Sequence, residues 1–334
     1  MNIKILTIIV PVYNVDAFLR NCLNSFVGSS EISDLEVLVV NDGSTDGSLE
    51  IAKEYVSRQP EIFRVITKEN GGHGSAVNTG ISLAQGKYLK VVDGDDWINH
   101  KELLQLLNYL RENDSDIVAT DYYWVDADTG RKKAAPRCAS SGIHYRQIYQ
   151  FKQLPSTLYL KMHNLTVKTA LFRENCPKLD EHCFYVDNEF MLYPIPFVKT
   201  VAFLDCQLYM YRIGLASQSI DIKRMQERED QHRKVLFRLL AYLRQVRGME
   251  NTAATAYIAS GIARMLVSQF KIYLSFRPSH QYKEKIMQLD SMILNDYPEV
   301  YRSVKNKYIK LLRLSRYHLY WLASFSLRLK LGID

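Results

Sequence analysis

Val91-Val92-Asp93-Gly94-Asp95-Asp96-Trp97 sets three carboxylates within four positions, directly after the apolar run Tyr88-Leu-Lys-Val-Val92. An extended chain points alternate side chains to opposite sides. Asp93 and Asp95, on either side of Gly94, can therefore face the same way at a strand's carboxyl end. Two hard oxygen donors so placed suit Mg²⁺ or Mn²⁺, which bind through one or two carboxylates and complete their shells with substrate phosphates. A second reading stays open on these residues alone, an acidic turn, because Asp and Gly favour turns on their own account.

The segments on either side bear on that choice. Leu6-Thr-Ile-Ile-Val-Pro-Val-Tyr-Asn14 is an apolar strand ending in polar and turn residues. Leu35-Glu-Val-Leu-Val-Val40 runs into Asn41-Asp-Gly-Ser-Thr-Asp-Gly-Ser48. Phe63-Arg-Val-Ile-Thr67 runs into Lys68-Glu-Asn-Gly-Gly-His-Gly-Ser-Ala-Val-Asn-Thr-Gly80. Helical patterns lie between, near residues 15–27, 45–58, 74–84 and 99–113. Such alternation predicts an α/β fold, with a mostly parallel sheet covered by helices on both faces. Ligands of these sheets bind beyond the carboxyl ends of the strands, where every polar cluster named here falls.

Val10-Pro-Val-Tyr-Asn14, Val40-Asn-Asp-Gly-Ser-Thr-Asp46, Asn70-Gly-Gly72 with Asn78-Thr-Gly80, and Asp93-Gly-Asp-Asp96 occur in the order and spacing of family 2 glycosyltransferases. The chain resembles that family strongly over residues 5–125 and more loosely over 126–220. The resemblance implies a GT-A fold, a Rossmann-like nucleotide-sugar-binding domain with a mixed sheet. It implies an inverting, metal-dependent transfer from a nucleotide-sugar donor, with Mn²⁺ or Mg²⁺ as cofactor. Pro11, Tyr13 and Asn14 would line the nucleotide pocket, with Tyr13 against the base. Asp42 would accept the imide N–H of a uracil-type base, which favours a uridine or thymidine donor over an adenosine one. Asp93 would contact ribose or metal, and Asp95 would hold the cation that bridges the donor phosphates. Gly72, Asn78 and Gly94 belong to the same set of nucleotide-sugar contacts. Asp96 either joins them or caps the following helix.

One position departs from the family pattern. Many relatives carry Arg just before the residue matching Asn78, near the nucleotide, where this chain has Val77. His73 lies in a glycine-rich turn at the start of a predicted helix. It either meets the diphosphate, which helix amino termini bind well, or faces solvent. Inverting transfer also needs a base to take the acceptor hydroxyl's proton. The family places it far past the metal motif in an aromatic, acidic stretch, which Asp180-Glu-His-Cys-Phe-Tyr-Val-Asp-Asn-Glu-Phe190 resembles. Asp187 matches the base, with Val186 in place of the Glu often found before it, and Asp180 and Glu189 are its rivals. Tyr209-Met-Tyr-Arg-Ile-Gly214, with Gln218 and Ser219, resembles the segment that closes the family's catalytic domain. Its Arg212 either clamps the diphosphate through its planar guanidinium or serves the fold.

Other classes fit less well. No Gly-x-Gly-x-x-Gly follows the first strand, and Gly71, Gly72 and Gly74 have the wrong spacing for a dinucleotide fold. A nucleotide-sugar pyrophosphorylase usually begins with a glycine-rich loop containing Arg and Lys, unlike Pro11-Val-Tyr-Asn14. A non-catalytic basic binding protein is the remaining alternative. The acidic amino-terminal half and the lack of a nucleic-acid motif argue against nucleic acid as a partner.

Length points to one catalytic domain and an accessory region: residues 1–220, comprising a nucleotide-sugar half (1–125) and an acceptor half (126–220), then a helical region over 221–334. Strand residues begin by Ile5, so no signal peptide is expected, and no apolar run is long enough to span a bilayer. Cys22, Cys138, Cys176, Cys183 and Cys206 are scattered and odd in number, which suits a reducing compartment and argues against structural zinc. The expected location is the cytoplasm, at or near the inner face of the cell membrane. The expected acceptor is a glycan or lipid-linked saccharide of a bacterial surface polysaccharide.

Charge is unevenly spread. Residues 1–125 hold 10 Lys/Arg and 18 Asp/Glu, and the remainder holds 33 and 18. Helical patterns run over 225–247, 252–276, 282–295 and 305–331, with Pro278 and Pro298 at the breaks. In the last of these Leu311, Leu314, Trp321, Leu322, Phe325 and Leu329 share one face of a continuous helix. Arg313 and Arg316 face away, with Lys310, Arg328 and Lys330 on the flanks. Such a helix either lies on an anionic membrane or packs on the protein with a solvated basic side.

Overall fold

The computed structural model describes residues 4–28, 30–139, 142–155, 157–214, 221–249 and 251–333. The chain divides into two compact units, Met1–Leu215 and Ala216–Asp334. Gln218 and Ser219 lie outside the described residues.

In the first unit the apolar runs become β1 (Leu6–Val12) and β2 (Leu35–Asn41), each buried along its whole length. Strands covered on both faces read as continuous apolar runs rather than alternating ones. With β3 (Phe63–Thr67) and β4 (Tyr88–Val91) they form a parallel array in the order β3-β2-β1-β4. Helices α1 (Asp16–Asn24), α2 (Ser48–Arg58) and α3 (His73–Leu83) connect these strands.

Beyond β4 the sheet changes character. β9 (Leu165–Lys168) lies antiparallel between β4 and β6 (Ile117–Asp126), and β10 (Thr200–Ile213) then runs parallel to β6. Two-residue β5 (Trp97–Ile98) and three-residue β7 (Lys132–Ala134) and β8 (Ile148–Gln150) complete ten strands in one mixed sheet. The sheet is thus mixed, as the family resemblance implied: parallel through the first four strands and between β6 and β10, antiparallel where β9 enters. Strand β9 is inserted late in the chain, and four residues are too few to announce it. Helices α4 (His100–Glu112), α5 (Thr169–Asn175) and α6 (Asp187–Leu192) belong to the same unit.

The second unit is helical among its described residues: α7 (Ile222–Glu227), α8 (Glu229–Val246), α9 (Thr252–Ser275), α10 (His280–Asp296), α11 (Pro298–Ser303), α12 (Lys307–Leu314) and α13 (Tyr320–Leu331). The apolar α9 is packed by α7, α8, α10, α11 and α13. The single helix expected over 305–331 is broken where Arg316 and Tyr317 adopt positive φ of 48° and 63°. The break serves a buried acid: Arg313 pairs with Asp290 at 2.6 Å beneath a Tyr317 hydroxyl that also donates to Asp290. Arg313, expected to face solvent, is instead buried with its guanidinium 3.6 Å from the Tyr301 ring centre. Core contacts on α12 and α13 come from Ile309, Leu312 and Tyr320, leaving Leu314, Leu322, Phe325 and Leu329 between 64% and 82% exposed.

Candidate active site

The carboxylate stretch leaves β4 as a tight turn closed by Asp96 N–H donating to the Asp93 carbonyl at 3.0 Å. Gly94 sits beneath the end of β1, where a Cβ would lie 3.2 Å from the Pro11 carbonyl. Asp96 anchors the turn. It accepts from the Tyr209 hydroxyl at 2.6 Å and from Arg212 N–H at 2.7 Å, and is buried. Burial, then the charges of Asp95 and Asp93, push its carboxyl well up. It does not cap α4; Asn99 does, accepting from Lys101 N–H.

Arg212 is held in the same anchor. Its guanidinium lies 4.8 Å from the ring centres of both Phe18 and Trp97, and its Nε donates to the Asp95 carbonyl at 2.8 Å. These contacts fix Arg212 directly behind Asp95.

The glycine-rich turn before α3 is built around Asp42. Its carboxylate is 2% exposed and accepts from Lys68 Nζ at 2.7 Å, Gly71 N–H at 3.0 Å and Gly72 N–H at 2.7 Å. Those bonds fix the carboxylate at the centre of the turn. Gly72 adopts φ +84°, a conformation glycine takes without strain, and that swings His73 to the first position of α3. His73 Nε2 then meets Asp93 Oδ1 at 2.8 Å. Val77, at the position where relatives carry Arg, is buried on α3.

Asn78 is bonded to the segment before α6. Its amide donates to the Leu179 carbonyl and accepts from Leu179 N–H, both at 2.9 Å. This clasp, with His182 N–H on the Gly71 carbonyl at 2.5 Å, lays residues 179–182 against α3. The same segment leads into Asp187, the first residue of α6. Burial separates Asp187 from Glu189, though not from Asp180, which is half-buried like it. Glu189 is fully buried and accepts from Asp180 N–H at 2.7 Å, whereas Asp187 is partly exposed. Asp187 and His73 feel each other's charge, and Asp93 and Asp95 also act on His73.

Pro11 is buried in β1, and Tyr13 beyond it is half exposed. Asn14, with φ of 53°, accepts from Thr45 N–H at 2.8 Å and so ties the ends of β1 and β2 together.

The electrostatics are those of a crowded acid cluster set beside His73 and Arg212. Burial pushes the Asp93 carboxyl up, but the His73 hydrogen bond and charge outweigh it and hold it below the usual value. Burial pulls the His73 imidazole down, and the Asp93 bond with the Asp93, Asp187 and Asp95 charges outweighs that too. Asp95 has no such partner, and burial and the Asp93 charge push it up to about 6. Burial raises Asp187, against the pull of His73. Among the described residues no group of three His, Cys, Asp or Glu is arranged to hold a metal without help.

Sequence reasoning missed Lys68, His163, Tyr209 and Tyr211. Lys68 follows β3 and was quoted only as part of a polar run. His163 stands alone in Lys161-Met-His-Asn164, with no spacing signal to mark it.

Comparison with known proteins agrees with this geometry. The sequence profile described as Glycosyl transferase family 2 matches residues 7–176. The glycosyltransferase EpsJ of Bacillus subtilis, whose function is uncharacterized, is 34% identical over 214 residues, covering 63% of this chain and 61% of its own. Glycosyltransferase GlyA of Streptococcus pneumoniae is 31% identical over 224 residues, covering 64% of this chain and 31% of its own. The chain thus spans less than two thirds of either relative. Among solved structures, residues 1–349 of Staphylococcus aureus TarS in complex with UDP-GlcNAc superpose with a TM-score of 0.58 at 19% identity, covering 98% of this chain and 90% of that one. That likeness is one of fold; the family profile, spanning half of the sequence, establishes that this chain belongs to glycosyltransferase family 2.

Proposed function

We propose that the chain transfers a sugar, with inversion, from a uridine nucleotide-sugar to a hydroxyl of a glycan or lipid-linked saccharide. The observation that carries this is the grouping of His73, Asp93, Asp95 and Asp187 beyond the carboxyl ends of β3 and β4. The UDP-GlcNAc complex of TarS, alike in fold, supports a uridine donor.

In this reading Asp187 is the base. As the acceptor oxygen attacks the anomeric carbon, its proton passes to the Asp187 carboxylate. The bond from that carbon to the diphosphate breaks, and the nucleoside diphosphate leaves with the electron pair. A single displacement from the opposite face inverts the centre. Burial raises the Asp187 carboxyl, which makes it a stronger base than a free carboxylate. His73, at the amino end of α3, offers its imidazole and the helix N–H groups to the departing diphosphate.

Asp93 and Asp95 are the residues that would hold Mn²⁺ or Mg²⁺. Their fit rests on the donor set, two carboxylates flanking Gly94 at the end of β4; burial, then the Asp93 charge, pushes Asp95 up to about 6, a cost that a divalent cation would relieve. Two carboxylates with substrate phosphates are a usual donor set for such ions. When bound, the ion neutralises charge on the leaving diphosphate.

The second unit supports a surface role for the same chain. Lys305, Lys307, Lys310, Arg316 and Lys330 are exposed around the apolar faces of α12 and α13, and no acidic residue occurs among the described residues from 300 onward. No helix among the described residues is long and apolar enough to cross a membrane. The fit is to peripheral attachment on an anionic lipid surface, where lipid-linked acceptors reside. For the transfer itself, the test is UDP release from a panel of UDP-sugars with Mn²⁺ present. Turnover of at least one supports the proposal, and turnover of none refutes it.

A further inference from the structure

We propose that His163 and Tyr211 form a wall of the active site that binds pyranose hydroxyls; this rests on the transfer reading above. His163 lies in the 3-10 turn Met162–Asn164 that leads into β9. Aromatic rings surround its imidazole: Tyr211 at 4.4 Å, Tyr209 at 4.7 Å and the edge of Tyr122 at 5.3 Å. Trp124 meets Tyr122 edge-on at 5.9 Å.

The backbone of the turn is fixed as well. Lys90 Nζ donates to the His163 carbonyl at 2.7 Å, and the Asn164 amide donates to the Thr120 carbonyl at 2.7 Å. Yet among the described residues this imidazole makes no hydrogen bond. Its Nδ1 is buried without a partner. The Tyr211 hydroxyl is likewise without one among the described residues. A buried nitrogen left unpaired costs about 1–3 kcal/mol, and native structures keep few such groups without a reason.

Their position supplies the reason. His163 and Asp93 feel each other's charge, and Asp96, Asp93, Asp95 and Asp187 all act on Tyr211. Both side chains therefore border the carboxylate cluster. Burial pulls the imidazole down to about 4, so near neutrality it is uncharged, with one N–H donor and one acceptor nitrogen. A neutral donor, a neutral acceptor and a phenol, backed by aromatic faces, match vicinal hydroxyls and the C–H face of a pyranose better than a phosphate. Two sugars meet in this site, the one transferred and the one that accepts it, and both carry this chemistry.

The test compares wild type, His163→Phe and Tyr211→Phe. The first substitution keeps a stacked ring and removes both nitrogens, and the second removes only the hydroxyl. UDP affinity, UDP-sugar hydrolysis and transfer to p-nitrophenyl glycosides are measured with Mn²⁺, using UDP-GlcNAc, UDP-glucose and UDP-galactose. Saturation-transfer NMR with free N-acetylglucosamine, glucose and galactose reads sugar binding without catalysis. UDP affinity should stay within about twofold, because the wall touches no nucleotide. If the wall holds the donor sugar, KM for hydrolysis rises roughly 10-fold or more, the value of one good hydrogen bond. If it holds the acceptor, hydrolysis is unchanged and transfer falls by the same factor. Either result, or loss of the wild-type saturation signal in both variants, supports the proposal. It is overturned if both variants keep hydrolysis, transfer and saturation signals within about twofold, if UDP affinity falls in step with them, or if wild type gives no saturation signal. A wild type that turns over no donor refutes the transfer reading alone, since the saturation experiment still decides on the wall.

Discussion

Gly74→Ala is a one-methyl perturbation whose effect follows from the packing of residues 179–182 on α3. A Cβ at position 74 would lie 2.2 Å from the Asp180 carbonyl oxygen, where contacts below 3.0 Å are essentially never found. The obstacle is backbone, so relief requires the segment to retreat by about 1 Å, a large displacement in a close-packed interior. It is not free to do so. Asn78 holds residue 179 through two bonds of 2.9 Å, and Glu189 holds Asp180 N–H at 2.7 Å. Overpacking costs about 1–3 kcal/mol, and each bond lost adds about 1. The gain of about 1 kcal/mol from Ala over Gly in a helix offsets only part of this. A net loss of ~2–4 kcal/mol lowers the melting temperature by roughly 4–15 °C for a unit of this size. The same retreat carries Asp187 away from His73, and a misplacement of about 1 Å can cost about 10²-fold in kcat. Thermal denaturation with UDP-release rates measures both. A variant that melts within about 2 °C of wild type with unchanged turnover would refute the packing argument and the placement of Asp187 that depends on it.

Asp95→Asn should nearly abolish turnover and weaken Mn²⁺-dependent UDP binding; calorimetry that finds binding and rate unchanged would remove Asp95 from the cation site. His232, buried against Gln269 Oε1 at 2.6 Å, is pulled down by burial to about 4 from 6.5. Its folded pKa is depressed, so its contribution is intact above pH 6.5 and is lost as pH falls toward 4, amounting to about 3 kcal/mol. Denaturant melts at pH 7 and pH 4 should show this loss in wild type and less of it in His232→Gln; equal losses would exclude His232 as the source. Leu322→Asp with Phe325→Asp should keep the helical circular dichroism and lose flotation with anionic vesicles, to which wild type binds and from which high salt releases it. Wild type that never floats would exclude the lipid surface.

The parts of the fold legible in the sequence are those whose burial writes a long pattern. Strands β1 and β2 lie under cover on both faces and appear as unbroken apolar runs, and the polar clusters at their carboxyl ends locate the cleft. Strands β5 and β9 have two and four residues, too few for any periodicity, so the mixed half of the sheet was not readable from pattern alone. At the site, Asp187 and Glu189 are equivalent carboxylates in the sequence; only burial tells them apart, and burial is a property of the packed chain. The bonds of Asp42 to Gly71 and Gly72 and of Asn78 to Leu179 were not legible either, because they depend on where distant loops return. Arg313 shows the same limit. Helical spacing turned it to solvent, whereas a buried Asp290 more than twenty residues earlier draws it inward.

The measurement that bears most directly on the proposed chemistry is the rate of UDP-sugar turnover by Asp187→Asn, beside its UDP affinity. Asn keeps the shape of Asp187 and removes the proton acceptor, so kcat should fall by about 10²–10⁴ while the dissociation constant for UDP stays within about twofold. Near-full turnover in Asp187→Asn, with the loss appearing instead in Asp180→Asn, would contradict the account.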